Sequence, residues 1–205
     1  AKRRFQTKGK ERGIWVVDDY AHHPTEIAVT LTAARATSPG RLICVFQPHR
    51  YSRTNLLRTE FGACFAAADL LILTDVYAAG EAPIPGVSGE TLMEEVAKQT
   101  GQDAVYLPER VDLERYLAQH VRAGDLVITM GAGNILEVGE ALVAQLKNNT
   151  AGVGEHPIAV VMGGPSTEAE VSRRSGAAIL QALVSKGYPA VGLELNPSTF
   201  AEGIQ

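Results

Sequence analysis

Residues 14–27 read Ile-Trp-Val-Val-Asp-Asp-Tyr-Ala-His-His-Pro-Thr-Glu-Ile, a sequence that predicts a strand, a polar loop and the start of a helix. The apolar run 14–17 is typical of a buried strand, and Pro24 suits the first position of a helix. Glu26 lies where the positive end of the helix dipole favours a carboxylate. Polar residues 18–23 therefore stand between the carboxyl end of a strand and the amino end of a helix, where open α/β sheets bind ligands.

The same alternation recurs along the chain. It predicts an α/β fold, a Rossmann-like and mainly parallel sheet flanked by helices, because parallel strands need helical crossovers. The predicted strands are 3–7, 13–17, 42–46, 70–74, 105–107 and 126–130, and the predicted helices are 24–36, 52–67, 90–99, 111–120 and 135–147.

Composition narrows the class of protein. The 205 residues are 45% hydrophobic with a formal net charge of −4, which is ordinary for a globular chain and gives no support for nucleic-acid binding. No apolar stretch approaches the roughly 20 residues of a membrane span. Cys44 and Cys64 form neither a disulfide framework nor a zinc motif, so we expect a cytoplasmic protein. The amino end has neither a secretory signal nor an initiator methionine, so we expect a piece of a longer protein.

The alternation of strands and helices ends at the polar, glycine-rich segment 148–156, which is typical of a linker. A second βα pattern follows, with strands predicted at 158–162 and 190–195 and a helix at 172–185. Two strands in about fifty residues are too few to close a domain, so the pattern indicates a truncated βαβ unit.

Four polar segments follow the predicted strands of the first part, at 18–23, 47–53, 75–81 and 131–134. In a parallel sheet all four lie along one edge. Arg50 and Arg53 are three apart at a helix entry, so both can face one side, where planar guanidinium groups suit a carboxylate or phosphate. A solvated basic turn is the alternative, and the neighbouring His49 favours a ligand.

The adjacent histidines His22 and His23 do not indicate a zinc site, because neighbouring residues do not converge on one ion and no further ligand is obvious nearby. Hydrogen bonding or stacking against a nucleotide fits better, with helix capping as the alternative. Gly131-Ala132-Gly133 is half of a dinucleotide motif, but a tight turn that needs glycine for its backbone is the favoured interpretation, with close approach of a ligand as the alternative. The sequence contains no Gly-x-x-x-x-Gly-Lys-Ser/Thr loop, so we do not expect ATP hydrolysis by that route from this chain alone.

Several motifs together resemble one known family. Residues 2–5 (Lys-Arg-Arg-Phe), 18–26, 46–54 (Phe-Gln-Pro-His-Arg-Tyr-Ser-Arg-Thr), 75–81 (Asp-Val-Tyr-Ala-Ala-Gly-Glu) and 131–135 are similar, in this order, to the carboxy-terminal domain of the UDP-N-acetylmuramate–L-alanine ligases. These are the first of the ATP-dependent Mur ligases of peptidoglycan synthesis. The resemblance spans residues 1 to about 147.

The resemblance implies a mechanism and a set of contacts. ATP phosphorylates the carboxylate of UDP-N-acetylmuramate, and the amine of L-alanine attacks the acyl phosphate. In the family the Walker loop and the Mg²⁺ ligands belong to other domains, so the ATP and Mg²⁺ cofactors are held mainly outside this chain. The implied L-alanine contacts are His49, Arg50 and Arg53. The implied nucleotide contacts are Arg4, Asp18, Tyr20, His22 and His23. The resemblance assigns no certain catalytic residue and no metal ligand to this part.

Residues 157–172 and 175–178 resemble the amino terminus of the D-alanine–D-alanine ligases. Glu168 then matches the carboxylate that binds the amino group of the first D-alanine, with a solvated glutamate at a helix start as the alternative. The expected chain is a piece of a fusion of two cell-wall ligases, inactive alone. The alternative is a non-catalytic nucleotide-binding or regulatory module that keeps the fold.

Overall fold

The computed structural model describes residues 3–37, 39–148, 158–165, 167–185 and 190–195. It divides into two compact units, Ala1–Val153 and Gly154–Gln205. The segment 148–156, predicted to be a linker, lies outside the described residues except for Asn148, which ends the last helix of the first unit.

The first unit is built on a six-stranded sheet in the order β1-β2-β6-β3-β4-β5. All neighbouring strands are parallel except β1 and β2, which are antiparallel. The predicted α/β class with a mainly parallel sheet is therefore confirmed. The strands are β1 (Gln6–Glu11), β2 (Ile14–Asp19), β3 (Arg41–Phe46), β4 (Leu70–Leu73), β5 (Ala104–Tyr106) and β6 (Asp125–Met130).

Six helices cover this sheet: α1 (Pro24–Ala36), α2 (Tyr51–Leu56), α3 (Arg58–Ala63), α4 (Gly89–Thr100), α5 (Arg110–His120) and α6 (Leu136–Asn148). Side chains of α1, α3 and α4 form one core with a face of the sheet, and those of α5 and α6 form a second core with the other face. The central strands are thus buried on both sides, which explains their continuous apolar runs.

Strand β6 lies between β2 and β3, although it follows both in the chain. The chain leaving β2 or β3 enters helices on the first face, whereas the chain leaving β6 enters α6 on the second face. The connections therefore diverge on either side of β6. In open α/β sheets such a switch point opens a crevice at the carboxyl ends of the strands.

Two predicted elements of the first unit differ from the structure by more than one or two residues at their ends. The helix expected at 52–67 is divided into α2 and α3, because Leu57 leaves the helical region at φ −105° and ψ 21°. The change of direction places Phe61 and Phe65 against Phe46 in the first core. The strand expected at 3–7 begins only at Gln6, since positive φ angles at Arg3 (61°) and Phe5 (43°) are incompatible with a strand.

The second unit contains the strands β7 (Ile158–Gly163) and β8 (Ala190–Leu195), which pair in parallel, and the helix α7 (Ala169–Ser185). This is a βαβ unit, as the sequence predicts. None of the helices within the described ranges of the whole chain combines the length and the apolar character that a bilayer span requires.

Candidate functional site at the carboxyl edge of the sheet

The strand register brings the polar segments to one edge. Asp19 pairs with Met130, Met130 with Phe46, Phe46 with Leu73, and Leu73 with Tyr106, so the five parallel strands end in line. Strand β1 runs the other way, and its first residues reach the same edge. The loops that follow β2, β6, β3 and β4 and the segment preceding β1 therefore form one rim.

Arg3 is inserted into the crevice beside β6. Its Nε and Nη2 donate to the two carboxylate oxygens of Asp18, at 2.7 and 3.2 Å, and Asp18 is fully buried. Nη2 and Nη1 also donate to the carbonyls of Gly131 (2.9 Å) and Gly133 (3.2 Å). Oδ1 of Asp18 accepts a further bond from the Thr129 hydroxyl at 2.9 Å. Both oxygens of Asp18 are thus engaged within the chain, so Asp18 orients Arg3 and presents no free carboxylate at the rim.

Asp19 accepts hydrogen bonds from two backbone N–H groups. Its two oxygens accept from the N–H groups of Phe5 and Ala21, each at 2.7 Å. The backbone N–H of Tyr20 donates to the carbonyl of Arg3 at 2.8 Å. The acidic pair therefore ties the segment before β1 to the loop after β2.

Aromatic and imidazole rings form a row along the rim. The Arg3 guanidinium lies 5.2 Å from the centroid of the Tyr20 ring, and Tyr20 meets His22 edge to face at 5.2 Å. His22 is 6.0 Å from His49, and His49 stacks on Tyr77 at 5.7 Å with an interplanar angle of 11°. These separations are typical of interacting rings. The structure thus brings His22, which follows β2, to His49, which follows β3 and contacts Arg53.

The hydrogen bonds assign protons to the rim histidines. Nδ1 of His22 lies 2.9 Å from the carbonyl oxygen of Tyr20, which can only accept, so this nitrogen carries hydrogen. Nδ1 of His49 lies 3.3 Å from Nη1 of Arg53, which can only donate, so this nitrogen is bare. Partial burial and then the positive charge of Arg53 lower the pKa of His49 below its ordinary value. His49 is accordingly a neutral ring beside a permanent cation.

His23 has a local role that the sequence left as the alternative. It is the N-cap of α1, where its Nδ1 accepts weakly from Thr25 N–H at 3.4 Å. Glu26 completes a capping box by accepting from the N–H groups of His22 and His23. Burial raises the pKa of Glu26, but these two bonds outweigh it and lower that pKa overall.

Arg4 lies in the segment that precedes β1. It is exposed and borders a cleft of about 490 Å³ between the segment before β1 and helix α1. Tyr20 and Glu26 form the polar part of this wall, and Val29 and Ala33 form its apolar part. The cleft therefore offers one positive side chain, one aromatic ring and a flat apolar surface.

The glycines after β6 allow the backbone conformation and close packing of a tight turn, as the turn interpretation predicts. Gly131 has φ 145°, and a Cβ there would lie 2.8 Å from the Gln47 carbonyl. A Cβ on Gly133 would meet the side chains of Gln47 and Tyr77. These glycines let the loops after β6 and β3 pack closely, with the Gln47 amide donating to Asn134 at 3.0 Å.

Sequence reasoning assigned no role to several residues of the rim, among them Arg3, Tyr77 and Glu81. Tyr77 and Glu81 belong to the motif 75–81, so that motif was a usable signal. Arg3 belongs to the motif 2–5, but its contacts with Asp18 and Gly131 depend on the position of β6, which that motif does not indicate. Within the described ranges, no three histidine, cysteine, aspartate or glutamate side chains converge as a metal site.

Glu168 of the second unit is exposed and directly precedes α7, where its carbonyl accepts from Ser172 N–H at 2.9 Å. The hydroxyl of Ser172 in turn accepts from Gly163 N–H at 3.1 Å. The end of β7 and the first turn of α7 are therefore tied together beside Glu168.

The family model "Mur ligase, glutamate ligase domain" matches residues 3–133, which is more than half of the chain. The chain belongs to the Mur ligase family. The matched region contains every rim residue described above except Asn134.

Curated relatives agree with this membership. The chain is 58% identical over 145 residues to the UDP-N-acetylmuramate–L-alanine ligase of Trichlorobacter lovleyi, covering 70% of this chain and 32% of the relative. It is 53% identical over 147 residues to the ligase of the same name from Desulforamulus reducens, covering 72% and 32%. The chain thus spans about a third of the length of these relatives.

Solved structures are similar over the same part of this Mur ligase domain. The UDP-N-acetylmuramate-alanine ligase of Thermotoga maritima has a TM-score of 0.58 and 25% identity, covering 72% of this chain and 30% of that one. A murein peptide ligase of Psychrobacter arcticus has a TM-score of 0.61 and 24% identity, covering 73% and 31%, and is similar in fold.

Proposed function

We propose that the first unit is the amino-acid-binding, domain-closing part of a UDP-N-acetylmuramate–L-alanine ligase of peptidoglycan biosynthesis. The observation that carries this proposal is the contact of Arg53 with His49, one residue from Arg50, at the end of the row of rings. Its second support is the 58% identity to a ligase of that name. UDP-N-acetylmuramate, ATP and L-alanine would be the substrates, and the cytoplasm the place of reaction.

His49, Arg50 and Arg53 would hold the carboxylate of L-alanine. A planar guanidinium offers two parallel N–H donors to a carboxylate, which Lys cannot reproduce. His49 suits this role because it is neutral, with Nδ1 engaged by Arg53 and its remaining ring nitrogen able to donate. Fixing the carboxylate aims the amine, and orientation of a bound nucleophile contributes several kcal/mol to lowering a barrier.

The nucleotide would lie on the other part of the rim. Arg4 would meet the phosphates, and Tyr20, His22 and His23 would face the ribose and adenine, with Asp18 acting through Arg3. The chemistry of the cleft beside Arg4 fits a nucleotide, since it combines a cation with aromatic and apolar surface. Mg²⁺ prefers carboxylate and phosphate oxygens, and we expect it to be held mainly by domains outside this chain.

ATP would supply the activation of the muramate carboxylate as an acyl phosphate. The part of this chain is to deliver the amine of L-alanine to that group and to exclude water from it when the domain closes. The alternative, a non-catalytic nucleotide-binding module, predicts binding without amide formation.

Incorporation of radiolabelled L-alanine by the full ligase that contains this domain tests the proposal. Arg53→Ala and Arg50→Ala should each raise the KM for L-alanine roughly 10- to 100-fold, because a bond to a charged group contributes about 1.5–3 kcal/mol. The KM for ATP should stay nearly unchanged. Arg115→Ala, on the exposed surface of α5, is the matched control. An intact ligase that incorporates no L-alanine, or variants that lose only ATP binding, would contradict the proposal.

For the second unit we propose the start of a D-alanine–D-alanine ligase, joined through residues 148–156, with Glu168 holding the amino group of the first D-alanine. The support is the sequence resemblance, together with the position of Glu168 at the start of α7 after a glycine-rich turn. Glu168→Gln in the full protein should raise the KM for D-alanine and leave the L-alanine reaction unchanged. An unchanged KM for D-alanine would exclude this role.

A further inference from the structure

The loop between β4 and α4, residues 74–88, packs against the segment that carries the two arginines. The N–H of Tyr77 donates to the Pro48 carbonyl at 2.8 Å, and the N–H of Arg50 donates to the Tyr77 carbonyl at 3.0 Å. His49 and Tyr77 form an isolated parallel bridge, and their rings are stacked. The backbone of the arginine-bearing segment is therefore held by this loop.

Glu81, in the same loop, accepts two hydrogen bonds from the first turn of α2. Its Oε1 accepts from the Ser52 hydroxyl at 2.6 Å and its Oε2 from the Ser52 N–H at 2.9 Å. These bonds from Ser52 lower the pKa of Glu81. Oε1 also lies 3.7 Å from Nη1 of Arg50, whose side chain is 51% exposed. The carboxylate thus flanks a guanidinium that still faces solvent.

Arg50 has a backbone conformation that needs this support. Its φ is 71° and its ψ is 138°, a region that side-chain-bearing residues rarely occupy. The Arg50 N–H is held by Tyr77, and its carbonyl accepts from the N–H and the hydroxyl of Thr54 at 3.1 and 2.8 Å. Such conformations persist where the surroundings impose them, and they cluster at ligand sites.

From this geometry we propose that Glu81 is a positioning residue for the amino-acid carboxylate. Glu81 fixes the orientation of the Arg50 guanidinium, which in turn binds that carboxylate. Both Glu81 oxygens are already occupied by Ser52, so the carboxylate is not free to bind the substrate amine. The separation of 3.7 Å orients Arg50 but leaves its N–H donors for an incoming carboxylate. This inference rests on the function proposed above for Arg50.

A double-mutant cycle on the full ligase tests it. Glu81→Gln should raise the KM for L-alanine about 3- to 10-fold with kcat nearly unchanged, a loss on the scale of one partly exposed ion pair and its supporting bonds. In the Arg50→Ala background the same change should alter the KM less than about twofold, because Glu81 then has no guanidinium to position. Glu140→Gln, which removes an ion-paired carboxylate on α6, is the matched control.

The outcomes separate this inference from the proposed function. Equal effects of Glu81→Gln with and without Arg50, or an unchanged KM in the single variant, would overturn the role of Glu81 while the ligase assignment stands. An inactive parent ligase would instead refute the assignment. If Glu81→Gln does not fold, Ser52→Ala serves in its place: it removes one of the two bonds to Glu81, and its smaller effect on KM must likewise vanish with Arg50→Ala.

Discussion

Replacing Arg3 with methionine removes the guanidinium that faces Asp18 inside the crevice. The side chain of Asp18 is 0% exposed and that of Arg3 is 17% exposed, so water can reach the cation but not the carboxylate. Removing one partner of a buried ion pair costs about 3–5 kcal/mol, because the other charge stays buried without compensation. The bond from Thr129 to Asp18 remains, so we expect about 3 kcal/mol for Arg3→Met.

The reverse change should cost less. In Asp18→Asn the amide oxygen can still accept from Thr129, and Arg3 keeps the Gly131 and Gly133 carbonyls and partial contact with water. We therefore expect a loss of about 1–2 kcal/mol, in the range of one net hydrogen bond to a charged group.

Guanidinium chloride unfolding, followed by fluorescence, measures both losses. The chain has one tryptophan, Trp15, which lies in β2 three residues before Asp18 and therefore reports on the first unit. Lys8→Met breaks an ion pair whose acid, Glu140, is 53% exposed, and it should cost less than about 1 kcal/mol. If Arg3→Met costs no more than Lys8→Met, or less than Asp18→Asn, the burial argument is wrong.

Three further predictions concern titration, thiol reactivity and packing. By NMR, His49 should titrate below its ordinary pKa of 6.5. As the pH falls, the unfolded chain therefore binds this proton first, so the contribution of His49 to the free energy of unfolding is complete above about pH 6.5 and is lost as the pH falls through the folded pKa. His49→Gln should remove this pH dependence of stability. Burial raises the pKa of Cys64 to about 12 and that of Cys44 well above its usual range, so a thiol reagent at pH 8 should label neither cysteine until denaturant unfolds the chain, and rapid labelling of the native protein would contradict this. Gly89→Ala should cost more than about 2 kcal/mol in chemical denaturation, since its Cβ would overlap the backbone carbonyl of Thr74 after β4. Gly101→Ala, with φ 68° and open space, should cost about 1–2 kcal/mol, and equal losses would refute the packing reason.

Much of the fold is determined locally. The apolar runs of β2, β3 and β6 and the capping signals at Pro24 and Glu26 depend on neighbouring residues only, so their positions follow from the sequence. The prediction of a single helix at 52–67 was wrong. The residue pattern there is typical of a helix throughout, so it gives no sign of a break. The break at Leu57 accompanies the packing of Phe61 and Phe65 on Phe46 at the end of β3, a tertiary contact that the helical pattern does not indicate.

The sequence also determined which residue types stand at the carboxyl edge, because alternating strands and helices place every loop after a parallel strand on one side. Their mutual distances are a tertiary property. Only the insertion of β6 between β2 and β3 brings Gly131 to Arg3, and only the packing of the loop after β4 onto the loop after β3 stacks Tyr77 on His49. Strand order is set by contacts between residues far apart in the chain, and no local pattern encodes it.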